Sequence, residues 1–312
     1  MKMQNFGEKP TFGGHEKFPL RYGWLKKGVD ATLENNAIFS HDQALVKLGV
    51  GKNMVRSIRH WCLATNLLEE TEGASVGRVK PLQPTTLAKH FVLEKGWDCY
   101  LEDIGSYWLI HWELISNKHR ALVWHILFAQ YHHSEFTKQQ FIAFCERYLE
   151  DAGIKTTAKM IEREVDCCLR TYITMVRSSK TTFSEDSLDC PLTELELLRF
   201  VPADNVYNFN IGPKLTLPVH VFGYALFMFL RPFASTRRTL AIDDCLYHSA
   251  SPGQVFKLDE NSLVNYLEEL EGLTKGKLRL QESGGLRQIY LDEGLIENTV
   301  KDGYTLLDSY YE

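Results

Sequence analysis

No apolar run in this chain approaches the roughly 20 residues needed to cross a bilayer. The longest, Val219 to Leu230, reads as a buried helix. The opening residues, MKMQNFGEKP, hold no apolar stretch of the kind that directs secretion. The seven cysteines, at positions 62, 99, 145, 167, 168, 190 and 245, form no Cys-x-x-Cys pair and leave one over from any full pairing. Such spacing argues against a zinc site and favours a reducing, cytoplasmic setting over a disulfide scaffold. Dimerisation heptads are missing as well. So are nuclease signatures of the PD-(D/E)xK, His-Asn-His and GIY-YIG kinds.

What is present is ordinary globular material: 312 residues, 44% hydrophobic and 24% charged, enough for two or three packed units. The net charge of −5 divides unevenly. Residues 1–95 carry 14 Lys and Arg against 9 Asp and Glu, whereas the remainder carries 21 against 31. A basic first third in an acidic chain points to a polyanionic partner for that third, or to chance segregation of solvated charge.

Apolar spacing and turn residues give a mainly α protein with winged helix-turn-helix units at both ends of a helical middle domain. The first unit, 1–95, has helices near Gly23–Asn35 and Asp42–Leu48, the second started by Ser40 or His41. A third helix runs from Lys52 to about Leu68, followed by two strands within Glu69–Leu82 around Gly73 and Gly77, and a helix near Thr85–Leu93. The middle domain, 96–180, reads as four helices. Asp103 caps the first, and Thr137 with Gln140 forms a capping box for the third. Ser178–Ser187 is the linker candidate. The last unit, 186–312, has helices over Pro218–Leu230, Thr239–Tyr247 and Glu260–Leu270, then strands Leu278–Gln281 and Gln288–Leu291 around Ser283-Gly284-Gly285. Its helices are acidic, which suits protein contacts better than phosphate.

The segment from Asp42 to Trp61 is the most informative. Gly49 closes one helix, Val50 packs inward, and Lys52 opens the next, the spacing of a helix-turn-helix. At about 100° per residue, Lys52, Asn53, Arg56, Arg59 and His60 share one side of that helix. Met54, Val55, Ile58, Trp61 and Cys62 fall on the other. Arginine and lysine contact guanine edges or phosphates, and asparagine pairs with adenine. Arg78 and Lys80, in the expected wing, are placed for a phosphate backbone. The alternative is a solvated helix in a winged helix that binds protein.

The run Phe12-Gly-Gly-His-Glu-Lys-Phe-Pro-Leu-Arg-Tyr-Gly-Trp-Leu-Lys-Lys and the segment from Leu48 to Trp61 resemble a known bacterial family. Tyr100-Leu-Glu-Asp, Trp108-Leu-Ile-His-Trp, Ser251-Pro-Gly-Gln-Val-Phe and Gly284-Gly-Leu-Arg-Gln extend the likeness over nearly the whole chain. The sequence is similar to the SspB family of single-strand DNA phosphorothioation (DNA sulfur modification) systems, to which DNA nicking is assigned. The resemblance implies work on double-stranded DNA beside a cysteine desulfurase, an ATPase and a sulfur-transfer enzyme. It also implies a place in anti-phage defence.

If the chain nicks DNA, a divalent metal, magnesium or manganese, is the expected cofactor. His15 with Glu16, followed by Lys17 and Arg21, is the candidate catalytic cluster: a general acid or base, a carboxylate and two cations. The other reading of His15 and Glu16 is a tight turn after Gly13-Gly14 that binds backbone. Asp243-Asp244 with His248 reads as a solvated face, and His125 as a satisfied core histidine. Three functions stay open: a DNA nickase, a non-catalytic specificity module that recruits the modification enzymes, and a transcriptional regulator.

Overall fold

The computed structural model describes residues 9–40, 42–72, 80–173, 190–233, 238–283 and 286–312. His41, residues 73–79 with Arg78, the expected linker at 178–187, and Gly284-Gly285 lie outside these residues. The chain forms two compact units, one within Met1–Ile126 and Glu135–Asn208, the other within Leu127–Ser134 and Phe209–Glu312.

In the first unit, α1 (Trp24–Glu34) precedes α2 (Ala44–Leu48) and α3 (Lys52–Ala64). Gly49 ends α2 at φ 64°, a left-handed turn open to glycine at little cost, and its N–H returns to Leu45 O. Only Gly49, Val50 and Gly51 separate α2 from α3, so the two helices are closely linked. Strands β1 (Leu68–Glu70) and β2 (Leu82–Pro84) follow as an antiparallel pair, with Leu68 opposite Pro84. Thr85 then caps α4 (Thr86–Phe91) through Ala88 N.

Asp103 caps α5 (Ile104–Ser116), which is buried from Gly105 to Ile115. Helix α6 (Leu122–His125) is followed by a π-helical turn, Ile126–Gln130. Strand β3 (Glu135–Phe136) leads into α7 (Lys138–Asp151), where Thr137 and Gln140 form the expected capping box. Helix α8 (Ala158–Tyr172) buries Ile161, Val165, Cys168, Leu169 and Tyr172, the stripe visible in the sequence. Strands β4 (Leu198–Val201) and β5 (Val206–Phe209) complete a sheet of order β3-β5-β4. Trp61, Trp108 and Trp124 are wholly enclosed in this unit's core.

The second unit holds α9 (Val219–Leu230), β6 (Thr239–Ala241), α10 (Ile242–Tyr247), α11 (Pro252–Phe256), α12 (Glu260–Leu273), β7 (Leu278–Ser283), β8 (Leu286–Leu291) and α13 (Glu293–Tyr311). Its sheet has the order β6-β8-β7. Lys257, which ends α11 in a left-handed conformation, sends Nζ 3.1 Å to Phe128 O and 4.2 Å from the Phe209 ring centre.

Several local expectations need correction. Thr239–Tyr247 is not one helix: its first three residues pair with β8, Leu240 opposite Ile289, and both of these are buried. A three-residue strand whose partner lies some fifty residues on leaves no period to read. Helix α13 has no counterpart in the sequence reading, because Gly294 and Gly303 depress helix propensity. Gly303 instead allows close packing on α9, since a Cβ there would come within 3.1 Å of Met228 Cε and 3.2 Å of Tyr224 Cδ2. Strands β4 and β5 are likewise additions. Helix α2 begins at Ala44 rather than Asp42, and α3 stops at Ala64 rather than near Leu68.

Candidate nucleic-acid interface

Helix α3 has the two faces its sequence requires. Val55, Ile58, Trp61 and Cys62 are buried, and Met54 is half-buried. On the opposite side Lys52, Asn53 and Arg56 are exposed. Its first turn has neither an acidic side chain nor a side-chain cap, so its N–H groups reinforce the positive charge of Lys52.

The other two residues expected on that outer side are placed differently. His60 is buried, covered by the N-terminal motif: a Cβ on Gly14 would lie 2.6 Å from His60 Nδ1. Its ring packs edge-on against His15 and Trp61, and its Nε2 has no hydrogen-bond partner. Burial, followed by the neighbouring His15 ring and the charges of Arg120 and Arg59, holds its pKa well below the ordinary histidine value. An enclosed neutral ring offers nothing to a phosphate. Arg59 turns to Glu70 on β1, NH2 to Oε1 at 2.9 Å, and is largely covered.

Glu70 is a hub. Arg120 reaches the same oxygen at 2.9 Å and Lys80 the other at 3.6 Å. Burial works against ionisation of Glu70, but the hydrogen bonds and charges of Arg59 and Arg120 outweigh it and hold its carboxyl below the usual range. Three cations around one carboxylate leave this edge of α3 net positive.

The N-terminal motif is bound between α3 and α8. His15 is fully buried. Lys17 N donates to His15 Nδ1 at 3.0 Å, so the ring proton sits on Nε2, 3.1 Å from Glu164 Oε1. The same carboxylate oxygen accepts from Gly13 N. From α3, Ser57 Oγ donates to His15 O at 3.0 Å and Trp61 Nε1 to Phe18 O at 3.0 Å. From α8, Arg170 donates to Lys17 O. Glu16 and Lys17 both take left-handed backbone angles, φ 49° and 70°. Glu16 lies between two arginines, Oε1 3.2 Å from Arg56 NH1 and Oε2 3.4 Å from Arg163 NH2. Arg21 is buried, its guanidinium 5.1 Å from the ring centres of both Phe18 and Trp24, while Lys17 is exposed.

His15 and Glu16 are therefore not arranged as a reactive pair. Both ring nitrogens of His15 are engaged away from solvent, and Glu16 is neutralised by arginines. These carboxylates do not fit a divalent ion as they stand, and among the described residues no group of three or more His, Cys, Asp or Glu is placed to hold one. The turn-forming reading of the motif matches this geometry. Elsewhere, His125 Nδ1 donates to Ile115 O, 2.9 Å away, and burial pushes its pKa down to about 3.

Sequence reasoning missed Glu164, Arg163, Arg170 and Arg120. Glu164 left one signal: it stands inside the apolar stripe of α8, three residues after Ile161 and four before Cys168. A carboxylate at such a position requires a buried partner. No helix among the described residues is long and apolar enough to cross a membrane.

No curated protein matches the chain. Two solved structures do. One, described as the SspB crystal structure, is 29% identical with a TM-score of 0.84, covering 96% of this chain and 88% of that one. The other, a magnesium ion-bound SspB crystal structure, is 28% identical with a TM-score of 0.83, covering 96% and 89%. This chain is thus SspB-like over nearly its whole length. A family model described as a protein of unknown function (DUF4007) matches residues 12–311, and the chain belongs to that family.

Proposed function

We propose that this chain is a cytoplasmic DNA-binding component of a bacterial DNA sulfur-modification system. It presents the outer face of α3 to double-stranded DNA beside a cysteine desulfurase, an ATPase and a sulfur-transfer enzyme. The observation that carries the reading is the division of α3: Lys52, Asn53 and Arg56 exposed, the opposite side packed. The order helix, helix, helix, strand, strand supports a winged helix-turn-helix, with α3 as its reading helix. The likeness to SspB supplies the context.

A second reading, that the chain also nicks DNA with a divalent ion, is favoured by the magnesium-bound SspB neighbour. His15 and Glu16 do not serve it in the arrangement described. A duplex-binding titration at two salt concentrations, run beside a supercoiled-plasmid assay with and without magnesium or manganese, tests both readings. Salt-dependent binding with intact plasmid supports a specificity module. Metal-dependent relaxation to open circle supports a nickase. Absence of duplex binding at low salt overturns the first reading.

A further inference from the structure

The environment of Glu16 is unusual for a surface carboxylate. Its backbone is left-handed, as is that of the next residue, and neither is glycine or asparagine. Such conformations cost free energy and persist only where surrounding contacts impose them. Here the contacts place the Glu16 carboxylate between Arg56 of α3 and Arg163 of α8, one oxygen to each guanidinium. Arg163 Nε is enclosed and makes no hydrogen bond, so its donors are not exhausted by Glu16. Lys17, adjacent and exposed, adds a third cation. Two guanidinium groups converging on one oxyanion, with an exposed lysine next in sequence, form a donor set suited to a phosphodiester. The side chains of Glu16, Arg56 and Arg163 are 23%, 57% and 28% exposed, so the site opens to solvent.

We infer that Arg56, Arg163 and Lys17 form a binding site for one phosphate of the DNA backbone, and that Glu16 occupies it as an intramolecular stand-in until DNA displaces it. This rests on the DNA-binding reading above and extends it: it assigns a DNA contact to α8, outside the helix-turn-helix. Displacement exchanges one oxyanion for another on the same two arginines. The left-handed turn is freed to relax when Glu16 is released. Apparent affinity is lowered by this competition, because the phosphate must replace an existing ion pair.

The test is Glu16→Gln against Glu162→Gln in the full chain, measured as duplex affinity across a salt series. Glu162 is one residue from Arg163, is 58% exposed and pairs with Lys138, so it controls for the loss of a negative charge nearby. Glu16→Gln is expected to bind duplex roughly two- to fivefold more tightly, the scale of an exposed ion pair that no longer has to be broken. Its salt slope should steepen by up to about one relative to wild type. Glu162→Gln should do neither, and Arg163→Gln added to Glu16→Gln should remove the gain. Melting curves on each variant establish that it is folded. Equal affinities for the two glutamine variants, or a gain that survives Arg163→Gln, overturn the inference while wild-type binding leaves the DNA-binding reading intact. Binding of duplex by no variant at low salt overturns both.

Discussion

His15 and Glu164, 149 residues apart in the chain, meet at 3.1 Å through Nε2 and Oε1 with both side chains enclosed. The imidazole, hydrogen-bonded to a buried carboxylate, joins the N-terminal motif to α8. The hydrogen bond from Ser57 joins the same residue to α3. His15→Ala should therefore cost about 3–5 kcal/mol of stability, from the cavity and the half-satisfied carboxylate together. His15→Gln, whose amide can still donate to Glu164, should recover part of the loss. Chemical denaturation measures both. A His15→Ala protein that melts like wild type yet loses nicking would restore the catalytic assignment.

Lys52→Ala with Arg56→Ala should weaken duplex binding without lowering the melting temperature, because both side chains are exposed on α3. A side chain that holds a phosphate should flatten the salt dependence by about one when it is removed, whereas one that reads a base costs about 1–3 kcal/mol at the preferred site only. Unchanged affinity and slope in the double variant would remove α3 from the interface.

Gly14 lies so close to His60 that a Cβ would come 2.6 Å from Nδ1 and 3.1 Å from Cγ. The ring is hemmed in by His15 and Trp61 and has little room to swing aside. Gly14→Ala is expected to destabilise by about 1–3 kcal/mol through overpacking. In the His60→Ala background the same change should be nearly neutral, a coupling that a double-mutant cycle reads directly. Additive effects of the two substitutions are the contrary result.

Lys257 bears on the pH dependence of the second unit. Burial lowers its ammonium to about 7, against about 10.4 in the unfolded chain. Between these values the unfolded state holds more protons than the folded one, so stability rises with pH across the window. The contribution is fully present above the unfolded value and is lost as pH falls from there to about 7. Lys257→Met keeps the buried stem and removes the charge. Denaturation at about pH 7 and about pH 9.5, both inside that window, should show wild type gaining stability relative to the variant. Parallel curves for the two proteins would contradict the assignment.

Features settled within a turn or two of helix are legible in the residues alone. The two faces of α3 follow from residues three and four apart, the break between α2 and α3 from Gly49, and the starts of α5 and α7 from Asp103 and Thr137. The apolar stripe of α8 is legible for the same reason. Which of the outward residues on α3 remain outward is settled only when the chain packs. His60 and Arg59 occupy the side of the wheel that local periodicity gives to solvent. One is covered by Gly14, 46 positions earlier, and the other is drawn to Glu70, the carboxylate that Arg120 also holds. Glu16 gained its two arginines from helices 40 and 147 positions away. Strand β6 exists because β8 supplies its hydrogen bonds, and α13 lies on α9 because Gly303 permits the approach. Periodicity records which way a side chain points from its own helix; whether another segment closes over it depends on packing free energy that residues far apart contribute together.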